Sequence, residues 1–199
     1  MRNDTVSERT VGECMDMFDG LKKDVAVIPP EGSMLRPLAD SGMEMVECYR
    51  ADAGSFTEEG DLVTAFAAIC YAHAWIGCFQ RLGLFGGGSR DELFLQLPGS
   101  DGSGCRITEE KMARYLDITA RARKKAAIAS PVRSFDRRLA LEFLGMSESY
   151  FGKAVEYRNG GDFVRAFAAV NYSHAWLDGG ARIGLFDVGG DDVLFTLYE

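Results

Sequence analysis

Asn171, His174, Asp178 and Arg182 are the residues of this chain whose types and spacing best suit chemistry. At i, i+3, i+7 and i+11 they fall on one stripe about three turns long if the segment is helical. An imidazole oriented by a carboxylate four residues on can move a proton near neutral pH, and a guanidinium one turn further suits an anionic group. The same spacing also suits a plainer role, with His174, Asp178 and Arg182 forming an i, i+4 ion-pair ladder on a partly buried helix. The residues alone leave both readings open.

The elements that must carry this stripe follow from an internal repeat. Shifting the chain by 101 residues matches about 32 of 98 paired positions. The densest block sets Gly60-Asp61 on Gly161-Asp162 and Ala65-Phe66-Ala67-Ala68 on Ala166-Phe167-Ala168-Ala169. It continues with Tyr71-x-His73-Ala74-Trp75 on Tyr172-x-His174-Ala175-Trp176, and Arg81-x-Gly83-Leu84-Phe85 on Arg182-x-Gly184-Leu185-Phe186. Rare Trp, His and Pro staying in register is the mark of duplication. Under the shift the stripe becomes Cys70, His73, Gly77 and Arg81, so only the His and the Arg occur in both copies.

Each copy reads as three helices. The first spans about 6–28 and 107–129, capped by Ser7 or Thr108 and ended by Pro30 or Pro131. The second spans about 34–58 and 135–158, with Pro37 tolerated in its first turn. Gly60-Asp61 and Gly161-Asp162 then stop one helix and cap the next, which spans about 62–84 and 163–185. That third helix is apolar almost all round, so neighbours must surround it. Trp75, Trp176, Tyr71 and Tyr172 lie on it, as a buried core or, less simply, as an aromatic wall for a ligand. Short β-prone tails follow at 93–97 and 193–197, which could pair as a ribbon. The expected architecture is all-α: two tandem up-and-down three-helix bundles packed as a pseudo-symmetric pair. The first repeat is 1–98, a linker 99–104, and the second repeat 105–199.

Composition narrows the function. The 199 residues are 47 % apolar and carry a net charge of −8, which disfavours generic nucleic-acid binding. The one basic cluster, Arg121, Arg123, Lys124, Lys125, Arg133, Arg137 and Arg138, reads most simply as a solvated face. The chain reads as lacking any run of about 20 apolar residues free of charge, so no segment is expected to span a bilayer. Five unpaired-looking cysteines and the lack of a signal-type leader lead to an expectation of a reduced, cytoplasmic protein. With two histidines and no CxxC spacing, no metal and no cofactor are expected. The glycine runs at 86–88 and 189–190 follow helices rather than precede them, so they are turns and not phosphate cradles. No HExxH, P-loop or paired-carboxylate motif is present, and no residue is assigned a catalytic role.

The run from Gly161 to Asp187 resembles the core signature of an archaeal family, domain of unknown function 357. The first copy resembles it less closely, departing at Gly77-Cys78-Phe79-Gln80. The resemblance implies a three-helix bundle per copy and a cytoplasmic protein, and supplies no activity. The leading expectation is a non-enzymatic interaction or scaffold module that takes a protein partner or a second copy of itself. The alternative is a small-molecule binder or enzyme at Asn171, His174, Asp178 and Arg182.

Overall fold

A computed structural model describes residues 2–88, 90–97 and 102–196. The first copy holds α1 (Glu8–Lys23), α2 (Arg36–Glu58) and α3 (Leu62–Arg81), and the second holds α4 (Glu109–Lys125), α5 (Phe135–Asn159) and α6 (Phe163–Arg182). Their starts are written in the sequence. Ser7, Asp61, Thr108 and Asp162 each accept a backbone N–H from three residues on. Gly60 and Gly161 take the left-handed conformation that ends the preceding helix.

The apolar third helices form the centre. From Leu62 to Phe79 every α3 residue but Thr64 and Tyr71 is buried, and from Phe163 to Gly180 every α6 residue but Arg165 is. α3 packs on α6, with α2 and α1 closing over α3 and with α5 and α4 closing over α6. Their excess apolar surface is therefore used inside the chain. By length and composition α3 is apolar enough to cross a membrane, contrary to the expectation from sequence, and 89 % of that stretch is buried inside the protein. A central helix enclosed by α1, α2 and α6 and by short strands needs no polar face, which accounts for its hydropathy.

The copies are related by a local twofold. Strands β1 (Thr5–Val6) and β4 (Cys105–Arg106) pair antiparallel with Thr5 opposite Arg106, two positions that coincide under the 101-residue shift. At Gly104, φ is +104° and a Cβ would fall 2.1 Å from the Val6 carbonyl oxygen, so only glycine admits the chain beside β1. Of the expected linker, 99–101 lies outside the described residues.

Two further differences from expectation share one cause. The first helices end at Lys23 and Lys125, well before Pro30 and Pro131, because the chain turns into two-residue strands. β2 (Ala26–Val27) pairs with β3 (Phe85–Gly86), and β5 (Ala127–Ile128) pairs with β6 (Phe186–Asp187) in the equivalent register. The tails do not form a ribbon. Leu93–Gln96 is a 3-10 turn, Val193–Thr196 is not a strand, and Leu197 lies outside the described residues. Phe94 packs on His73 of α3 and Phe195 on His174 of α6, so each tail docks beside a third helix rather than on the other tail.

Candidate functional site

The twofold produces two equivalent places where the tail of one copy and the third helix of the other come together. One is open and one is closed. The open place is a cavity of about 310 Å³ between α2 and α3 of the first copy and α4 and α6 of the second. Tyr49 and Asp52 come from α2, Thr64 and Tyr71 from α3, Tyr115 and Thr119 from α4, and Asn171 and His174 from α6. A second hollow of about 370 Å³ shares Tyr71, His174 and Thr196 with it and reaches Asp178 and the 192–195 segment. The closed counterpart, lined by Cys70, His73, Tyr150 and Tyr172, holds only about 10 Å³.

Three of the four stripe residues belong to the open place. His174 Nε2 lies 2.9 Å from the Leu194 carbonyl, and Nδ1 lies 3.2 Å from the Thr119 hydroxyl. A carbonyl only accepts, so Nε2 carries a proton toward Leu194, while Nδ1 meets the Thr119 hydroxyl. Asp178 Oδ1 accepts from the Thr196 backbone N–H at 3.1 Å, and Oδ2 accepts from the Thr196 hydroxyl at 2.9 Å. Together His174 and Asp178 hold the C-terminal segment across the second hollow. Asn171 donates to the Phe167 carbonyl at 2.8 Å and lines the cavity.

Arg182 sits apart from both hollows, with Nη2 3.5 Å from Ser41 Oγ of α2. His174 Nε2 and Asp178 Oδ1 are 3.9 Å apart, at the edge of an ion pair, while Thr196 engages both carboxylate oxygens more closely. Burial holds the Asp178 carboxyl above the ordinary carboxylate range, and His174 and Thr196 pull it back only in part. A polar, hydrogen-bonded wall results, suited to orienting a ligand.

The residues that differ between the halves are the ones that open the site. Thr119 stands for Phe18, Tyr115 for Cys14, Asn171 for Cys70, Asp178 for Gly77 and Thr196 for Leu95. Each exchange puts a polar group on the open side and a smaller or apolar one on the closed side. Sequence reasoning found Asn171 and Asp178 but missed Tyr49, Asp52, Thr64, Thr119 and Thr196. Comparing the polarity of paired positions beyond the third helix carries the signal for Thr119 and Thr196. Tyr49 and Tyr71 are the same in both halves, so polarity alone does not separate them.

The remaining candidates fall elsewhere. Trp75 and Trp176 are fully buried, so they are core and not a ligand wall. In the basic cluster Arg121 lies 3.6 Å from Asp117, Arg123 3.4 Å from Glu148 and Lys125 2.7 Å from Asp191. Among the described residues no group of three or more His, Cys, Asp or Glu side chains is placed to hold a metal ion. Residues 16–85 and 114–186 both match the family described as protein of unknown function (DUF357). No curated protein and no solved structure matches the chain.

Proposed function

Because the chain belongs to the DUF357 family, which carries no assigned activity, we propose a function from the geometry: it binds a small organic molecule between its two copies. The observation that carries this reading is the contrast between equivalent places, about 310 Å³ against about 10 Å³. Ligand sites in proteins are concave and of this order in volume, mostly apolar with a few placed polar groups. Here Tyr49, Phe56 and Tyr71 supply the apolar walls, and Thr119, Asn171 and His174 the polar ones. The duplication supports the same reading. A cavity lined by buried polar groups is costly to keep, and the other half dispenses with it.

Ligand-observed NMR of the full chain against a fragment set tests the proposal. The Thr119→Phe variant copies the Phe18 of the closed half, so it should fill the cavity, keep the helical circular dichroism and lose the fragment signals. No fragment binding to the parent protein, or unchanged binding to the variant, overturns the proposal.

A second reading, an interaction module, draws on one specific feature. Met34 (96 % exposed), just before α2, and its repeat counterpart Phe135 (64 % exposed), the first residue of α5, place apolar side chains in water at matching points of both copies. Such paired patches suit a protein partner or a second copy of the chain. Sedimentation of the parent against a Met34→Ser/Phe135→Ser variant tests the self-association arm, with a shift toward monomer expected.

A further inference from the structure

The closed half indicates what the open cavity takes. Lys153 and Arg165 are the counterparts of Asp52 and Thr64. The Lys153 ammonium lies 4.5 Å from the ring centre of Tyr150 and pairs with Glu92. Arg165 donates from Nε to the Leu95 carbonyl at 2.8 Å and from Nη2 to the Leu97 carbonyl at 2.9 Å, and pairs with Asp162. Tyr150 and Leu95 both line the closed site. Its aromatic wall and its tail thus each hold a cation supplied by the chain itself.

In the open half the tyrosine is kept, threonine replaces the tail leucine, and both cations are replaced. Tyr49 stands for Tyr150 and Thr196 for Leu95, and both line the cavity. Asp52 reverses the charge of Lys153, and Thr64 removes that of Arg165. Among the described residues no Lys or Arg lines the cavity. The Lys111 ammonium approaches the Thr64 hydroxyl at 3.3 Å, with the Asp61 carboxylate 3.9 Å away to balance it. The buried Asp178 lies in the adjoining hollow.

We propose that the open cavity takes an organic cation, an ammonium or guanidinium on a small apolar body, whose charged head stands where Lys153 and Arg165 place theirs in the closed half. This rests on the binding function proposed above and names its ligand class. A cation over a tyrosine face is attracted by the ring quadrupole, more so once water is excluded. Asp52 supplies a countercharge and a charge-assisted acceptor. An anionic ligand would instead be brought toward Asp52 and Asp178 with no lining cation to offset it.

Isothermal titration calorimetry on the full chain tests this with benzylammonium and agmatine, against benzyl alcohol and benzoate as neutral and anionic controls. At least one of the two cations should bind, at least tenfold more tightly than benzyl alcohol, and benzoate should not bind. Thr64→Arg, which restores the arginine of the closed half, should weaken the cation at least tenfold. Asp52→Asn, a substitution at an exposed position, should weaken the cation while leaving benzyl alcohol unchanged. Binding of benzyl alcohol or benzoate as tight as that of the cations overturns the ligand class and leaves the broader binding function standing. Absence of cation binding also overturns it, and the fragment screen then decides the broader function separately.

Discussion

The Tyr172 hydroxyl stands where a side chain at position 77 would begin: a Cβ on Gly77 would lie 2.8 Å from it. From there the hydroxyl lies 3.3 Å from Asp91 Oδ1, while the Tyr150 hydroxyl donates to the Asp91 carbonyl at 2.7 Å. In the other half Asp178 is the counterpart of Gly77, and Tyr71, the counterpart of Tyr172, lines the cavity. One glycine lets a tyrosine fold inward and close its site.

Gly77→Ala should therefore be poorly tolerated although alanine favours helix. The control is Gly152, inside α5, where a Cβ would meet nothing within 4 Å. Gly152→Ala should stabilise the chain by about 0.5–1 kcal/mol through helix propensity alone. At Gly77 the same gain is set against overpacking that costs about 1–3 kcal/mol. Urea unfolding should rank Gly77→Ala below Gly152→Ala by roughly that second amount. Equal stabilisation by the two would mean that Tyr172 is not held by the space at Gly77.

Trp75 and Trp176 occupy equivalent places, each fully buried with an indole N–H that has no hydrogen-bond partner among the described residues. Their retention must then rest on volume and packing, since a buried donor left unpaired costs stability. Trp176 meets Phe143 edge to face at 4.8 Å, and Trp75 stacks on Phe79 at 5.8 Å. Trp176→Ala should cost about 3–5 kcal/mol in guanidinium unfolding. A loss near zero would contradict its place in the core.

Much of this architecture was legible because it is carried by local signals. Gly60-Asp61 and Gly161-Asp162 punctuate the helices through backbone conformation and capping, which act over a few residues. The all-round apolarity of α3 announced that it would be enclosed. The ends of α1 and α4 were misplaced because strand pairing with β3 and β6, some 60 residues away, decides them, and no short-range pattern reports it. The site was half legible for a similar reason. Asn171, His174 and Asp178 share one helix, so their spacing exposed them, whereas Thr119 and Thr196 meet them through tertiary packing within the second copy, and Tyr49 only through the packing of one copy on the other. Arg182 shares the stripe's spacing, yet by the last turn of α6 the stripe has passed the cavity and faces α2.

His73 and His174 match under the repeat but differ in their surroundings, and acid should separate them. His73 is enclosed between Phe94, at 5.0 Å, and Tyr172, at 5.1 Å. Burial lowers its pKa from 6.5 to about 4, with Asp91 and the Arg90 backbone pulling it part of the way back. The imidazole is thus neutral in the fold, while the unfolded chain takes up a proton from about pH 6.5 downward. The stability it contributes is complete above that pH and is lost as pH falls toward 4. A depression of this size corresponds to about 3 kcal/mol. Asp178, raised by burial, acts in the opposite sense, since its fold binds a proton more readily than the unfolded chain does. A single-site difference removes that background. His73→Gln should destabilise the protein at pH 7 by loss of ring packing, and the gap to the parent should narrow steadily in urea unfolding between pH 7 and pH 4.5. A gap that stays constant over this range would mean that the His73 ring titrates in the fold as it does in the unfolded chain, and so is not enclosed by Phe94 and Tyr172.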